Sequence, residues 1–168
     1  MKKKHWREFD FFYTPCKNTI AALESAQQQS LLFWKSLGQE GSLVEEFEFT
    51  LGLSLVAIQK YMSHVMYDLN EIGILMGKAK FLKQGQIIEK SPITDLTLIN
   101  SLANYFKHNQ EYPLHKSTER SLNSVGLDLN DSSLLNKGLG ILSKDYSMIQ
   151  VLDIVQSVRK QLISSYHK

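Results

Sequence analysis

One stretch of this chain gathers side chains able to do chemistry together. It reads Leu102-Ala103-Asn104-Tyr105-Phe106-Lys107-His108-Asn109-Gln110-Glu111-Tyr112-Pro113. Helical winding at about 100° per residue brings Asn100, Asn104, Lys107, His108 and Glu111 to one side. Leu98, Leu102, Tyr105 and Phe106 fall on the other. Asn104 and His108 are one turn apart, so their side chains are neighbours. A carboxamide beside an imidazole, with an ammonium next to it, can orient a proton-transfer group and steady an anion. His115, Lys116 and Arg120 follow closely, against Glu111 and Glu119, so the local charge is positive. A solvated helix face shows the same pattern, and a His near a helix C-terminus is also favoured by the helix dipole.

Other candidate groups are poorer. His64, with Lys60 and Asp68 one turn to either side, fits a polar flank of a helix. His64, Asp68 and Glu71 lack the matching Glu-x-x-His pair that a carboxylate-bridged metal site needs. Cys16 has no His or acid patterned around it and reads as a structural thiol. As the single cysteine, it excludes an intramolecular disulfide framework and a cysteine-rich zinc site. No Gly-rich phosphate loop, Gly-x-Ser-x-Gly or His-Glu-x-x-His occurs. Lys78, Lys80 and Lys83 read as a solvated linker. No cofactor and no metal are expected.

The elements that must position these residues are helices. The chain has 168 residues, 43% of them apolar and 21% charged, which is enough to bury a core and rules out a disordered chain. A first helix, opened by Pro15, is read through Ile20, Leu23, Gln27, Leu31, Trp34 and Leu37 to Gly38 or Gly41. The second, capped by Ser42 with Glu45, carries a seven-residue repeat from Leu55 through Ile58, Met62, Val65, Leu69 and Ile72 to Met76. Gly73 or Gly77 would end it. A second apolar set, Phe49, Leu53, Tyr61, Tyr67 and Ile74, predicts burial on more than one face. Pro92 and Thr94 open the third helix, with Asp95 favourable near its positive end, and Pro113 closes it. A short helix capped by Ser117 or Thr118 precedes the turn at Asn130-Asp131-Ser132-Ser133. The last helix starts near Ser143 or Asp145, with Met148, Val151, Val155, Val158 and Leu162 as its stripe. The expected fold is all-α: one domain over residues 1–168, an antiparallel four-helix bundle with a long second helix and a small helical insertion before the last. Residues 1–14, rich in aromatics, are expected to pack on the bundle or on a partner.

A four-helix chain with Asn-x-x-x-His near a helix end resembles the HEPN superfamily. That family's marker is an Arg, a polar residue, a few residues and then His. Here Asn104 matches the polar position and His108 the histidine, while Ala103 stands at the Arg position. The resemblance implies a dimeric, metal-independent endoribonuclease of bacterial toxin–antitoxin or phage-defence systems, or a degenerate member that only binds. It assigns proton transfer to His108, orientation to Asn104 and phosphate charge to Lys107, with His115, Lys116 and Arg120 as further RNA contacts. Without the Arg, cleavage is expected to be weak or lost, and Ala103→Arg to raise it. The alternative is a non-enzymatic helical assembly module.

A net charge of +2, with only three arginines among 19 cations, does not point to sequence-specific nucleic-acid recognition. Lys2, Lys3 and Lys4 begin like a signal peptide, but no apolar run follows them. The most apolar stretch, Phe49 to Tyr67, is interrupted by Gln59, Lys60 and His64, so no membrane span is expected. A cytoplasmic protein that self-associates, with RNA or a protein as partner, is the resulting expectation.

Overall fold

The computed structural model describes residues 5–36, 43–109 and 113–167. Leu37, Gly38, Gly41, Ser42 and Glu111 of the sequence reading lie outside them, as do Lys2, Lys3 and Lys4.

A 3-10 turn at Trp6–Glu8 opens the chain. The helices α1 Tyr13–Ser36 and α2 Leu43–Glu71 follow. Next come a five-residue helix α3 Lys78–Leu82 and α4 Asp95–His108. The series closes with α5 Lys116–Asn123, α6 Leu134–Leu142 and α7 Met148–Tyr166. The described residues form an all-α protein, their nearest approach to a strand being one bridge between Ile87 and Thr94. None of their helices is long and apolar enough to cross a membrane.

Heptad spacing does in α2 what it implies. Leu51, Leu55, Ile58, Met62, Val65 and Leu69 are all buried, and the helix touches α1, α4, α6 and α7. The helix stops at Glu71, short of the expected reach to Met76. Gly73 takes φ +92°, a left-handed conformation that breaks the spiral. Asn70 then ties the turn: it accepts the Met76 N–H at 2.6 Å and donates to the Met76 carbonyl at 3.2 Å. Met76 therefore reaches the core from a loop. The second apolar face does not become core as a whole. Tyr61 is buried, but Phe49, Leu53 and Tyr67 are exposed; Phe49 is met edge-on by Phe106 of α4, and Arg7 lies over the Tyr67 ring.

Three further boundaries differ from the sequence reading. Lys78–Leu82 is a helix where a linker was expected, anchored by the fully buried Phe81. His115, not Ser117 or Thr118, caps α5, its ring accepting the Ser117 N–H. The last helix begins at Met148, because Ser143 ends α6 and its hydroxyl receives the Ser147 N–H at 3.0 Å. Neither α6 nor α7 is capped by its own Ser133 or Ser147 side chain. Glutamates from other helices do this instead. Glu48 of α2 accepts the N–H groups of Leu135 and Asn136, each at 2.8 Å. Glu24 of α1 accepts that of Met148 at 2.9 Å. Both carboxylates meet the positive end of a helix.

The N-terminal segment packs on the bundle through Phe12, Tyr13 and a set of polar contacts, not through Trp6, Phe9 and Phe11. Trp6, Phe9 and Phe11 stay more than half exposed. The buried Arg159 of α7 holds the segment instead, donating to the carbonyl oxygens of Arg7 (2.9 Å), Glu8 (3.2 Å) and Phe9 (3.2 Å). Arg7 pairs with the buried Asp68 at 3.0 Å. Tyr61 donates to Asp10 at 2.5 Å, and His167 meets Glu8 at 3.0 Å. Tyr13 donates to Asp153 at 2.5 Å, and that bond raises the Tyr13 hydroxyl to about 12. Cys16 sits in the core, where burial pushes its thiol up to about 11. His64 stacks on Phe12 with ring centroids 3.8 Å apart. Since Asp68 is engaged by Arg7, His64 and Asp68 belong to the attachment of this N-terminal segment, a strap across α2 and α7.

Candidate functional site

Helix α4 is buried over most of its length. Leu96, Leu98, Ile99, Leu102 and Ala103 lie in the core, with α2, α5, α6 and α7 packed around them. The Thr94 hydroxyl caps it by accepting the Thr97 N–H at 3.2 Å. Its side facing α3 and α5 is polar, and there it forms one wall of a cleft of about 700 Å³.

Three helices contribute to that cleft. From α4 come Asn100, Asn104 and His108, three successive turns of one face. The start of α5 brings His115, Ser117 and Thr118, and α3 brings Lys78. Leu82 and Leu114 supply apolar wall. Thus the structure joins Asn104, His108 and His115 of the sequence-derived set. Lys107, Lys116 and Arg120 are exposed and do not line the cleft.

The two imidazoles are held differently. His115 uses Nδ1 to cap α5, at 3.3 Å from the Ser117 nitrogen and 2.7 Å from its hydroxyl. In the neutral ring an accepting Nδ1 leaves the proton on Nε2, so His115 carries a donor on its far side. His108 lies in the last turn of α4 beside Lys107, where the helix dipole favours cations. Asn104 is fixed from behind. The Gln59 amide nitrogen of α2 donates to its Oδ1 at 2.9 Å, and equally to Oδ1 of Asn100 at 2.9 Å.

Ala103 faces away from all of this. It is fully buried in the core, so an Arg there would point into apolar packing rather than into the cleft. The expectation that Ala103→Arg completes the site is corrected on that ground.

Lys78 and Gln59 were missed as site residues. Lys78 looked like linker because α3 has only five residues and no legible periodicity. Gln59 is a polar residue in an apolar helix, and that signal is visible in sequence, but its partners lie 41 and 45 residues away.

A larger cleft, about 940 Å³, lies along α7 against residues 84–95. Its lining carries glutamines, serines, aliphatic side chains and the exposed Glu89–Lys90 pair, but no imidazole. Of its acids, Asp95 is raised by burial and Asp153 receives the Tyr13 hydroxyl. Chemistry of the kind sought above therefore belongs to the smaller cleft. Among the described residues, no group of three or more His, Cys, Asp or Glu is placed to hold a metal ion.

The fold and cleft together define an all-helical protein with an amide- and imidazole-lined site at one end of α4. The chain matches no protein-family model, no curated protein and no solved structure.

Proposed function

We propose that this chain is a HEPN-like helical protein that binds RNA at the α3–α4–α5 cleft, with weak or lost cleavage. The observation that carries this reading is the convergence of Asn104, His108, His115 and Lys78 on one cleft whose described lining holds no carboxylate. Such a lining offers donors and cations, which suits a phosphodiester. The resemblance to the HEPN superfamily supplies the setting, a bacterial defence or toxin–antitoxin system. Binding is favoured over catalysis because position 103, where the family marker has its Arg, is buried in the core, and the cleft's described lining holds no guanidinium. Lys78 provides a point charge, not a bidentate fork.

The test is binding of a labelled single-stranded RNA, read by fluorescence anisotropy across a salt series. Lys78→Ala should weaken binding and flatten its salt dependence. His108→Ala should weaken it while leaving helicity intact. Any metal-independent cleavage should fall by about 10²–10⁴ in His108→Ala, as for loss of a positioned acid or base. RNA binding that survives the double substitution unchanged places the site elsewhere.

A second reading, an assembly module, has its own support. Leu32, Phe33, Val44 and Phe49 expose apolar surface at the end of the molecule where α1 finishes and α2 begins. A second copy of the chain covering that end would form the dimer the resemblance implies. Light scattering at micromolar concentration, repeated with Phe49→Glu, tests it: a dimer that becomes a monomer supports this reading.

A further inference from the structure

Asn100 and Asn104 share one donor, and the sharing dictates what the cleft displays. The Gln59 nitrogen lies 2.9 Å from each Oδ1 and 3.4 Å from the backbone carbonyl oxygen of Asn100. A backbone carbonyl only accepts, so the Gln59 atom beside it is the NH2 group and not the oxygen. Both asparagine oxygens are therefore turned back toward α2. Their NH2 groups occupy the other arm of each carboxamide, away from the Gln59 nitrogen, and both residues line the cleft. Among the described residues neither nitrogen donates to another protein group, and neither is sealed away. The buried, unpartnered side-chain nitrogens among the described residues are the Nε atoms of Arg7 and Arg159.

Asn100 and Asn104 are one helical turn apart, so the two NH2 groups stack along one wall. Opposite them stand His115, whose Nε2 bears the proton in the neutral ring, and the Ser117 and Thr118 side chains; Lys78 adds an ammonium. The described wall is thus rich in donors, and a ligand that fits it must be rich in acceptors.

We infer that Gln59 is a positioning residue that sets Asn100 and Asn104 as a paired amide clamp for a phosphate group. This rests on the reading of the cleft as a phosphodiester site and names the group it grips. The phosphate oxygens of a nucleic-acid backbone and those of free inorganic phosphate share this chemistry.

Gln59→Glu tests the lock because it reverses the hydrogen-bond direction at nearly constant shape. A carboxylate only accepts. It draws both asparagine NH2 groups inward and turns both oxygens to the cleft, so the clamp becomes a pair of acceptors. Gln59→Met removes the lock without adding charge, and covers the case in which the glutamate variant does not fold. Two probes are used on the full chain. Inorganic phosphate is followed through the side-chain amide resonances of Asn100 and Asn104, and a labelled eight-residue oligouridylate through anisotropy.

Phosphate should shift both asparagine NH2 pairs in the parent protein. Affinity should drop at least about tenfold in Gln59→Glu, as expected for loss of hydrogen bonds to a charged group, and by less in Gln59→Met. Phosphate that moves neither amide pair in the parent protein overturns the inference. So does oligouridylate binding that depends on His108 but is equal in the parent, Gln59→Glu and Gln59→Met. Amide shifts with phosphate but no oligouridylate binding uphold the clamp and overturn the RNA reading.

Discussion

Arg159→Met should lift the N-terminal strap while leaving the helical core folded. Arg159 is 3% exposed and donates to three successive backbone carbonyls. Its Nη2 and Nε lie 3.9 Å from carboxylate oxygens of Asp68 and Asp10. Methionine keeps most of the aliphatic stem and removes every donor. Hydrogen bonds from a charged donor contribute about 1.5–3 kcal/mol each. Their simple sum overstates the loss, because the three carbonyls return to water once the strap lifts. Removing one partner of a buried pair costs about 3–5 kcal/mol. Asp68 keeps Arg7 at 3.0 Å, which places the expected cost near the lower end, about 3 kcal/mol. The strap has little apolar burial to fall back on, since Trp6, Phe9 and Phe11 are more than half exposed. Amide exchange at Glu8 and Phe9, which donate to the His5 and Trp6 carbonyls, should accelerate about a hundredfold, at 1.4 kcal/mol per factor of ten. Exchange in α4 should not change. Adding Asp68→Asn removes a carboxylate left with fewer partners, so the double variant should lose less than the two singles summed. Unchanged protection at residues 8 and 9 would refute the account, as would equal losses in the strap and in α4.

Ala103→Arg should destabilise the protein by about 3 kcal/mol or more, because it forces a guanidinium into a fully buried site; urea denaturation reads the loss, and a stable variant with raised RNA cleavage would contradict it. Gly52→Ala should cost about 1–3 kcal/mol by overpacking, since a Cβ there falls 2.0 Å from the Phe106 ring; an unchanged urea midpoint would show that the ring moves aside freely. Asp131 is held down to about 2, first by its hydrogen bond from Lys137 and then by Ser133. A depressed carboxylate stabilises the fold above its ordinary pKa of 3.8, and the contribution is lost as pH falls from there toward 2. Carboxyl NMR should show Asp131 titrating near 2, and higher in Lys137→Ala but still below its ordinary value, because both Ser133 hydrogen bonds remain.

Local periodicity made the helices legible. The α2 stripe from Leu51 to Leu69, the α4 set from Leu98 to Leu102 and the α7 set from Met148 to Val158 are buried as their spacing implies. A three- or four-residue apolar step places side chains on one face whatever lies opposite, so it can be read from one strand of text. The Thr94 cap was legible for the same reason, because donor and acceptor are three residues apart. The polar face bearing Asn104 and His108 was also legible, as spacing alone puts them together.

What lies across space was not. Glu48 and Glu24 cap α6 and α7 from 87 and 124 residues away, while Ser133 and Ser147, the local candidates, do not. Gln59 locks Asn100 and Asn104 from another helix, and Lys78 enters the cleft from a helix too short to show a period. Arg159 holds the N-terminal strap through three successive carbonyls, while Trp6, Phe9 and Phe11 stay exposed; no local pattern in the sequence announces that long-range contact. The sequence by itself determined which residues share a helix face, because that follows from the geometry of a single turn. Only the tertiary structure decided which faces meet, since a hydrogen bond between residues 41 to 152 positions apart leaves no local pattern to read.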